Sequence, residues 1–137
     1  MKTSFSEILL DTSEAWELVD LTERVRKAVS ECGISEGICL VWSTHTTAAV
    51  VISEDEQGLL RDLLTKVRED FPSRGTWLHN LIDDNAHSHL AGSYLGQSVT
   101  IPVREGSPLL GEYQSLFFIE LDGPRKARRL VVEVLGE

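Results

Sequence analysis

The sequence predicts a single α+β domain over residues 1–137, built from packed mixed or antiparallel β-sheets with two main helices. The first observation is size and composition, since 137 residues of which 42% are hydrophobic can bury one core without cross-links. The second is the order of the patterns, because strand-like segments lie at both ends of the chain and two helix-like segments lie between them. The third is continuity, since no linker, internal repeat or low-complexity segment divides the chain.

The N-terminal quarter predicts a β-hairpin followed by a helix. Segments 4–11 and 15–21 show the mixed alternation of short strands, and they flank the turn cluster at residues 11–13. Apolar residues then recur at helical spacing from Leu21 to Cys32, and Gly33 is a typical stop. We therefore expect paired strands and then an amphipathic helix.

The middle of the chain predicts two buried strands, a second helix and a long loop. Residues 37–42 and 48–52 are continuous apolar runs of strand length. Apolar residues from Leu59 to Phe71 line one face of a helix that should end at Pro72. The polar stretch 73–96 is expected to be a loop with at least one helical turn.

The C-terminal third predicts three strands, at residues 98–103, 109–121 and 127–134. Turn residues separate them at 105–107 and 122–124. Together with the N-terminal strands they provide enough strand for the sheets of an α+β domain.

Composition excludes several classes of function. A formal net charge of −9 would repel a nucleic-acid backbone, so we expect no nucleic-acid partner. No segment approaches the roughly 20 apolar residues that span a bilayer, so we expect no membrane partner and a cytoplasmic location. Cys32 and Cys39 lie inside apolar patterns, which favours reduced core residues over a disulfide or a CxxC metal site.

The histidines are the first candidates for chemistry, because all four lie in the middle of the chain, at positions 45, 79, 87 and 89. Imidazole titrates near neutral pH and is a common metal ligand, so three converging histidines could hold a zinc-like ion or share acid and base roles. For His45 the alternative is an ordinary strand-end residue satisfied by neighbouring threonine hydroxyls. His87 and His89 are two residues apart, which does not suit a metal pair on a helix.

Other polar residues allow both a functional and a structural interpretation. Glu54 could be a general base, but it also follows Ser53 where a helix should begin. Gln114 either points outward from its strand or lines a pocket. The basic cluster could bind phosphate or protect an edge strand, and it consists of Arg125, Lys126, Arg128 and Arg129.

Five motifs, in their order and spacing, resemble the YjbQ family over nearly the whole chain. They are HTTA at 45–48, NAHSH at 85–89, LGQS at 95–98, LGEYQ at 110–114 and ELDGPR at 120–125. The resemblance implies a small α+β fold of packed β-sheets that assembles as a homotrimer. It also implies membership of a group often labelled secondary thiamine-phosphate synthases, a label that reflects a weak side activity.

Carried over position by position, the resemblance implies a metal site with a catalytic role. The implied ligands of a divalent metal, zinc foremost, are His45, His79 and His89, which would leave one tetrahedral position for water or substrate. The implied catalytic residues are His45, Glu54 and His89. The polar positions implied for substrate binding are Thr46, Thr47, Asn85, Ser98, Gln114 and Arg125.

The chain also departs from the family pattern. It has His87 where many relatives have an acid, and Glu112-Tyr113 where they have a Thr-Trp pair. A carboxylate at Glu112, beside Gln114, would disfavour an anionic ligand.

We expect a metal-dependent enzyme that acts on a small, phosphorylated substrate, with weak thiamine-phosphate synthase activity. The alternative is a non-enzymatic homotrimer that binds a metal or a small ligand in the same pocket. A third hypothesis treats the histidines as structural residues of an interaction module.

Overall fold

A computed structural model describes all residues 1–137 and contains eight strands, three α-helices and one 3₁₀ turn. The helices are α1 (Thr22–Glu31), α2 (Gln57–Asp70) and α3 (Ala86–Leu95), and the 3₁₀ turn is Leu78–Leu81. The strands are β1 (Lys2–Leu10), β2 (Glu17–Asp20), β3 (Gly37–Ser43), β4 (Ala48–Ser53), β5 (Ser98–Arg104), β6 (Ser107–Pro108), β7 (Ser115–Glu120) and β8 (Arg128–Gly136). No helix combines the length and the apolar character needed to cross a membrane.

The strands form two antiparallel sheets, which confirms the predicted α+β class. The larger sheet has the order β1-β8-β3-β5-β6, and the smaller has the order β2-β7-β4. Strand β7 lies between two layers of core. Leu116 and Phe118 pack in the core that residues of the larger sheet and of α1 also form. Ile119, which points the other way, packs in a second core with residues of α2 and α3. Both faces of β7 are therefore buried, as its continuous apolar run suggests.

The predicted N-terminal hairpin is wrong, because its two strands belong to different sheets. Strand β1 pairs with β8, with Lys2 opposite Gly136, and β2 pairs with β7. Ile8 and Leu10 of β1 are part of the core between the sheets, whereas Leu18 of β2 packs against the second core. The short turn at residues 11–13 connects two layers instead of two neighbours in one sheet.

Helix α3 is more extensive than the predicted loop with one helical turn. Its buried residues are all small, and they are Ala86, Ser88, Ala91 and Gly92. The segment therefore lacks the stripe of large apolar residues that indicates a helix in a sequence. Small residues allow a close approach to the small sheet, since a Cβ at Gly92 would lie 2.8 Å from the Thr46 carbonyl oxygen. The positions of His87 and His89 follow from this helix.

The outer face of the larger sheet carries several exposed apolar side chains among charged ones. Phe5 and Leu9 of β1 and Ile38 and Trp42 of β3 are 45 to 61% exposed. All four lie opposite odd-numbered residues of β8, so they share one face.

Candidate functional site

Two of the predicted histidines meet beside an open cavity of about 520 Å³. His79 lies in the 3₁₀ turn and His89 lies in the first half of α3. Their ring centroids are 4.8 Å apart in an edge-to-face arrangement. Trp77 and Leu90 also line this cavity, and both imidazoles are half-buried. We refer to His79 and His89 as the histidine pair.

A hydrogen-bond relay through Asn85 determines which ring nitrogen of neutral His79 carries the proton. Asn85 is buried, and its Nδ2 donates to Asp122 Oδ2 at 2.9 Å, which turns its Oδ1 toward His79 Nε2 at 3.1 Å. Because an amide oxygen only accepts, His79 must carry its proton on Nε2 when neutral. Its Nδ1 is then the basic nitrogen, free to take a proton or bind a metal.

Arg125 completes the relay by donating to the same carboxylate oxygen of Asp122 that accepts from Asn85. Its Nη2 donates to Asp122 Oδ2 at 2.9 Å, and its Nε donates to the Asp122 carbonyl oxygen at 2.9 Å. The guanidinium is therefore held in one orientation while half of the side chain stays exposed. An anchored guanidinium of this kind can still use its free donors on an anionic ligand.

A buried ion pair holds the backbone of Asp122, the middle residue of the relay. Glu120 of β7 and Arg128 of β8 are almost completely buried and join the two sheets. Glu120 Oε1 accepts from Arg128 Nε at 2.8 Å and from Thr12 Oγ1 at 2.7 Å, and Oε2 accepts from the Asp122 amide at 3.1 Å. Burial alone would raise the pKa of Glu120, but these hydrogen bonds and the guanidinium outweigh it and lower the pKa.

Arg128 also binds both the backbone and the hydroxyl group of Thr47. Its Nη2 donates to the Thr47 carbonyl oxygen at 3.2 Å and to Thr47 Oγ1 at 3.0 Å. Both Thr47 and Arg128 are buried, so these contacts hold the segment between β3 and β4 in place. The cluster from Arg125 to Arg129 is thus not an edge-strand device, since β8 lies between β1 and β3.

His45 lies in a different cavity, of about 490 Å³, which Thr46, Ser93 and Gln97 also line. Its Nε2 accepts a hydrogen bond from the Arg129 amide at 2.7 Å. Burial and then the positive charge of Arg128 lower the pKa of His45, so the ring is neutral at pH 7 with its proton on Nδ1. Gln97 Oε1 is buried without a hydrogen-bond partner. This cavity therefore combines a neutral imidazole N–H donor with hydroxyl groups and an unpaired amide oxygen.

The structure brings two of the three predicted metal ligands together and places the third elsewhere. The cavities of His45 and of the histidine pair share no lining residue. No group of three or more His, Cys, Asp or Glu side chains in the chain could hold a metal ion. The lone pair of His45 Nε2 is engaged by Arg129, so His45 would bind a metal only after releasing that amide. The three-histidine metal site stays a prediction.

The remaining predicted site residues lie apart from the histidine pair. Glu54 is exposed and follows β4, whereas the neighbouring Glu56 caps α2. Gln114 is in a turn instead of a strand, and its Oε1 accepts from the Gly111 amide at 2.8 Å. Ser98 begins β5 opposite Trp42. Their assigned roles in catalysis and substrate binding stay predictions.

Sequence reasoning missed the residues that organise the site. Asp122, which connects Asn85 to Arg125, has no sequence signal beyond the turn at residues 122–124 and the ELDGPR motif. Glu120 and Arg128 were not identified as a buried pair. The available signal was an acid at the end of an apolar strand that should be buried, since a buried carboxylate requires a charged partner.

Comparisons with known proteins place the chain among close relatives. The family model described as UPF0047 protein YjbQ-like matches residues 6–137. A UPF0047 protein from Methanothermobacter thermautotrophicus is 44% identical over 137 residues, covering 100% of this chain and 95% of the relative. A crystal structure of a YbjQ-like protein of unknown function from Sulfolobus solfataricus is 48% identical, with a TM-score of 0.97 and 99% of both chains covered. An uncharacterised protein from Clostridium acetobutylicum is 35% identical with a TM-score of 0.89, covering 95% of this chain and 99% of that one.

Proposed function

Since the chain belongs to the YjbQ family, we propose that it is a metal-dependent enzyme acting on a small, phosphorylated substrate. The observation that carries this proposal is the histidine pair with its relay through Asn85 to Asp122. A relay that fixes one imidazole tautomer is what metal-binding and acid–base histidines share.

The histidine pair fits a divalent metal ion such as zinc. The Nε2–H of His79 donates a hydrogen bond to Asn85, which leaves Nδ1 as the ligand atom, and the centre of the His89 ring lies 4.8 Å from that of His79. A bound zinc ion would supply a Lewis acid and lower the pKa of a coordinated water. Two imidazoles do not complete a protein zinc site, so a further ligand must come from outside the single chain.

We propose that the further groups come from an adjacent subunit of a homotrimer. Leu78, Leu81 and Ile82 are 82 to 84% exposed in and beside the turn that carries His79. Trp42, which lines the His45 cavity, is 45% exposed on the outer face of the larger sheet. The histidine pair and the His45 cavity thus both have exposed apolar side chains nearby, which a second copy of the chain could bury.

In such an assembly, His45 and Glu54 of one subunit would approach the histidine pair of another. His45 presents an Nδ1–H donor and would orient a substrate oxygen through a hydrogen bond. It would join the metal only if the Arg129 hydrogen bond opened. Glu54 is exposed and free to act as the base.

A phosphorylated substrate suits the anchored Arg125. Its guanidinium is fixed by Asp122 and remains half-exposed, so a phosphate could bind without a large loss of side-chain freedom. In thiamine-phosphate synthesis, a thiazole nitrogen attacks the pyrimidine methylene carbon and pyrophosphate leaves with the bonding electrons. Donors near the leaving oxygens, from Arg125 and from Thr46 and Ser98 of an assembled site, would stabilise that departure. We infer a cytoplasmic location for this activity.

The proposal is tested with purified full-length protein by metal analysis and by turnover of the two thiamine-phosphate precursors, with and without chelator. We expect metal-dependent turnover in the wild type and its loss in His89→Ala. Glu69→Ala, an exposed change on α2, is the control and should keep both metal and turnover.

Two outcomes would contradict the enzyme proposal. Stoichiometric metal binding without product from these or other phosphorylated precursors would favour the non-enzymatic homotrimer. A lower thermal stability of His89→Ala with unchanged metal content would favour structural histidines.

A further inference from the structure

A third cavity, of about 440 Å³, lies beside Trp16, and it is basic. Arg68 of α2, Arg74 of the following loop and His87 of α3 line it. No Asp or Glu is among its lining residues, although the chain has a net charge of −9. It shares no lining residue with the cavity of the histidine pair.

The two guanidinium groups of this basic cavity have no carboxylate partner. Neither Arg68 nor Arg74 forms an ion pair or a side-chain hydrogen bond, whereas Arg104, Arg125, Arg128 and Arg129 all do. Arg68 instead lies with its guanidinium carbon 5.2 Å from the centre of the Trp16 ring. This contact fixes the direction of the side chain and leaves its N–H donors available.

His87 adds an unsatisfied polar atom at the same place. Its ring lies nearly parallel to Trp16, with an angle of 9° and 6.1 Å between centroids. Its Nδ1 is buried and has no hydrogen-bond partner. A buried nitrogen without a partner is destabilising, and in the tautomer with its proton on Nδ1 a ligand oxygen that accepts this hydrogen bond would relieve it.

We propose that the basic cavity is a binding site for a phosphate monoester. The dianionic phosphate would lie between Arg68 and Arg74, with Ser73 and His87 as further hydrogen-bond partners. The volume exceeds what inorganic phosphate needs and falls in the range of small-molecule sites, so the ester group also has room. The site is independent of the catalytic proposal, because none of its residues belongs to the relay or the histidine pair.

The test is a calorimetric titration of the full-length protein with phenyl phosphate, with inorganic phosphate and with sodium benzoate as separate arms. We expect saturable binding of phenyl phosphate with a Kd below about 1 mM, weaker binding of inorganic phosphate and none of benzoate. Arg74→Ala should weaken phenyl phosphate binding about tenfold or more, because a charge-assisted pair is lost. Arg24→Ala removes an exposed, unpaired arginine on α1 and should leave binding unchanged.

Three outcomes would overturn the proposal. One is the absence of saturable phenyl phosphate binding. Another is equal weakening by Arg74→Ala and Arg24→Ala, which would indicate general charge attraction. The third is loss of binding in Arg125→Ala with retention in Arg74→Ala, which would place the ligand at Arg125 of the proposed catalytic site. Failure of the catalytic assay alone would leave this titration unaffected.

Discussion

The buried pair of Glu120 and Arg128 makes a strong prediction about stability. Glu120→Gln keeps the shape of the side chain but removes its charge and turns one acceptor oxygen into an N–H₂ donor. Glu120 accepts hydrogen bonds from Thr12, from the Asp122 amide and from two nitrogens of Arg128. The substitution therefore leaves a buried guanidinium without a counter-charge, which costs about 3 to 5 kcal/mol. At about 2 to 4 °C per kcal/mol for a domain of this size, Tm should fall by roughly 6 to 20 °C.

The assay is urea and thermal unfolding followed by circular dichroism, at one fixed protein concentration because assembly contributes to stability. Glu7→Gln is the matched control, since Glu7 also pairs with an arginine of β8, Arg129, at 3.0 Å. That pair is exposed to solvent, which screens the two charges, so its loss should lower the free energy of unfolding far less than Glu120→Gln does. Equal effects of the two substitutions would refute the argument from burial.

Three further predictions concern other parts of the chain. Burial and the charge of Arg128 hold the pKa of His45 below its usual 6.5, so as the pH falls the unfolded chain is protonated at a higher pH than the folded chain. The free energy of unfolding should therefore be at its full value above pH 6.5 and decrease below it. His45→Gln should flatten that part of a plot of the unfolding free energy against pH. Gly92→Ala should destabilise α3 by about 1 to 3 kcal/mol in urea unfolding despite the better helix propensity of alanine, because the new Cβ meets the Thr46 carbonyl; a stabilised variant would show that the helix shifts freely. Burial, with a smaller contribution from Cys32, raises the pKa of Cys39 to about 11, so a thiol reagent at pH 8 should label one cysteine in the folded protein and two after denaturation; rapid labelling of both would contradict the buried position.

Much of the fold followed from periodicity. The helix that starts after Asp20 and stops at Gly33 is confirmed, as are the apolar strands β3 and β4, because local patterns determine such elements. The hairpin prediction failed because alternation says which face is apolar but not which sheet receives it. Helix α3 was underestimated because Ala86 and Gly92 bury a small-residue face that carries little periodic signal.

The site was harder to predict than the fold. Motif resemblance selected His79, His89 and Asn85, which do lie together, but hydrogen bonds between distant segments determine their roles. Asp122 lies 37 residues beyond Asn85, and no spacing rule connects a loop residue to a turn at that distance. The opposite tautomers of His45 and His79 also depend on such long-range partners.

The Nδ1 of His79 is free to bind a ligand, whereas the Nε2 of His45 is already engaged by the Arg129 amide. Long-range ¹H–¹⁵N NMR correlation of the imidazole nitrogens, recorded at pH 7.5 with and without one equivalent of zinc, measures this directly. We predict a proton on Nε2 of His79 and on Nδ1 of His45, and a zinc-induced shift at Nδ1 of His79. A proton on Nδ1 of His79, or His79 and His89 resonances unmoved by zinc, would contradict the account.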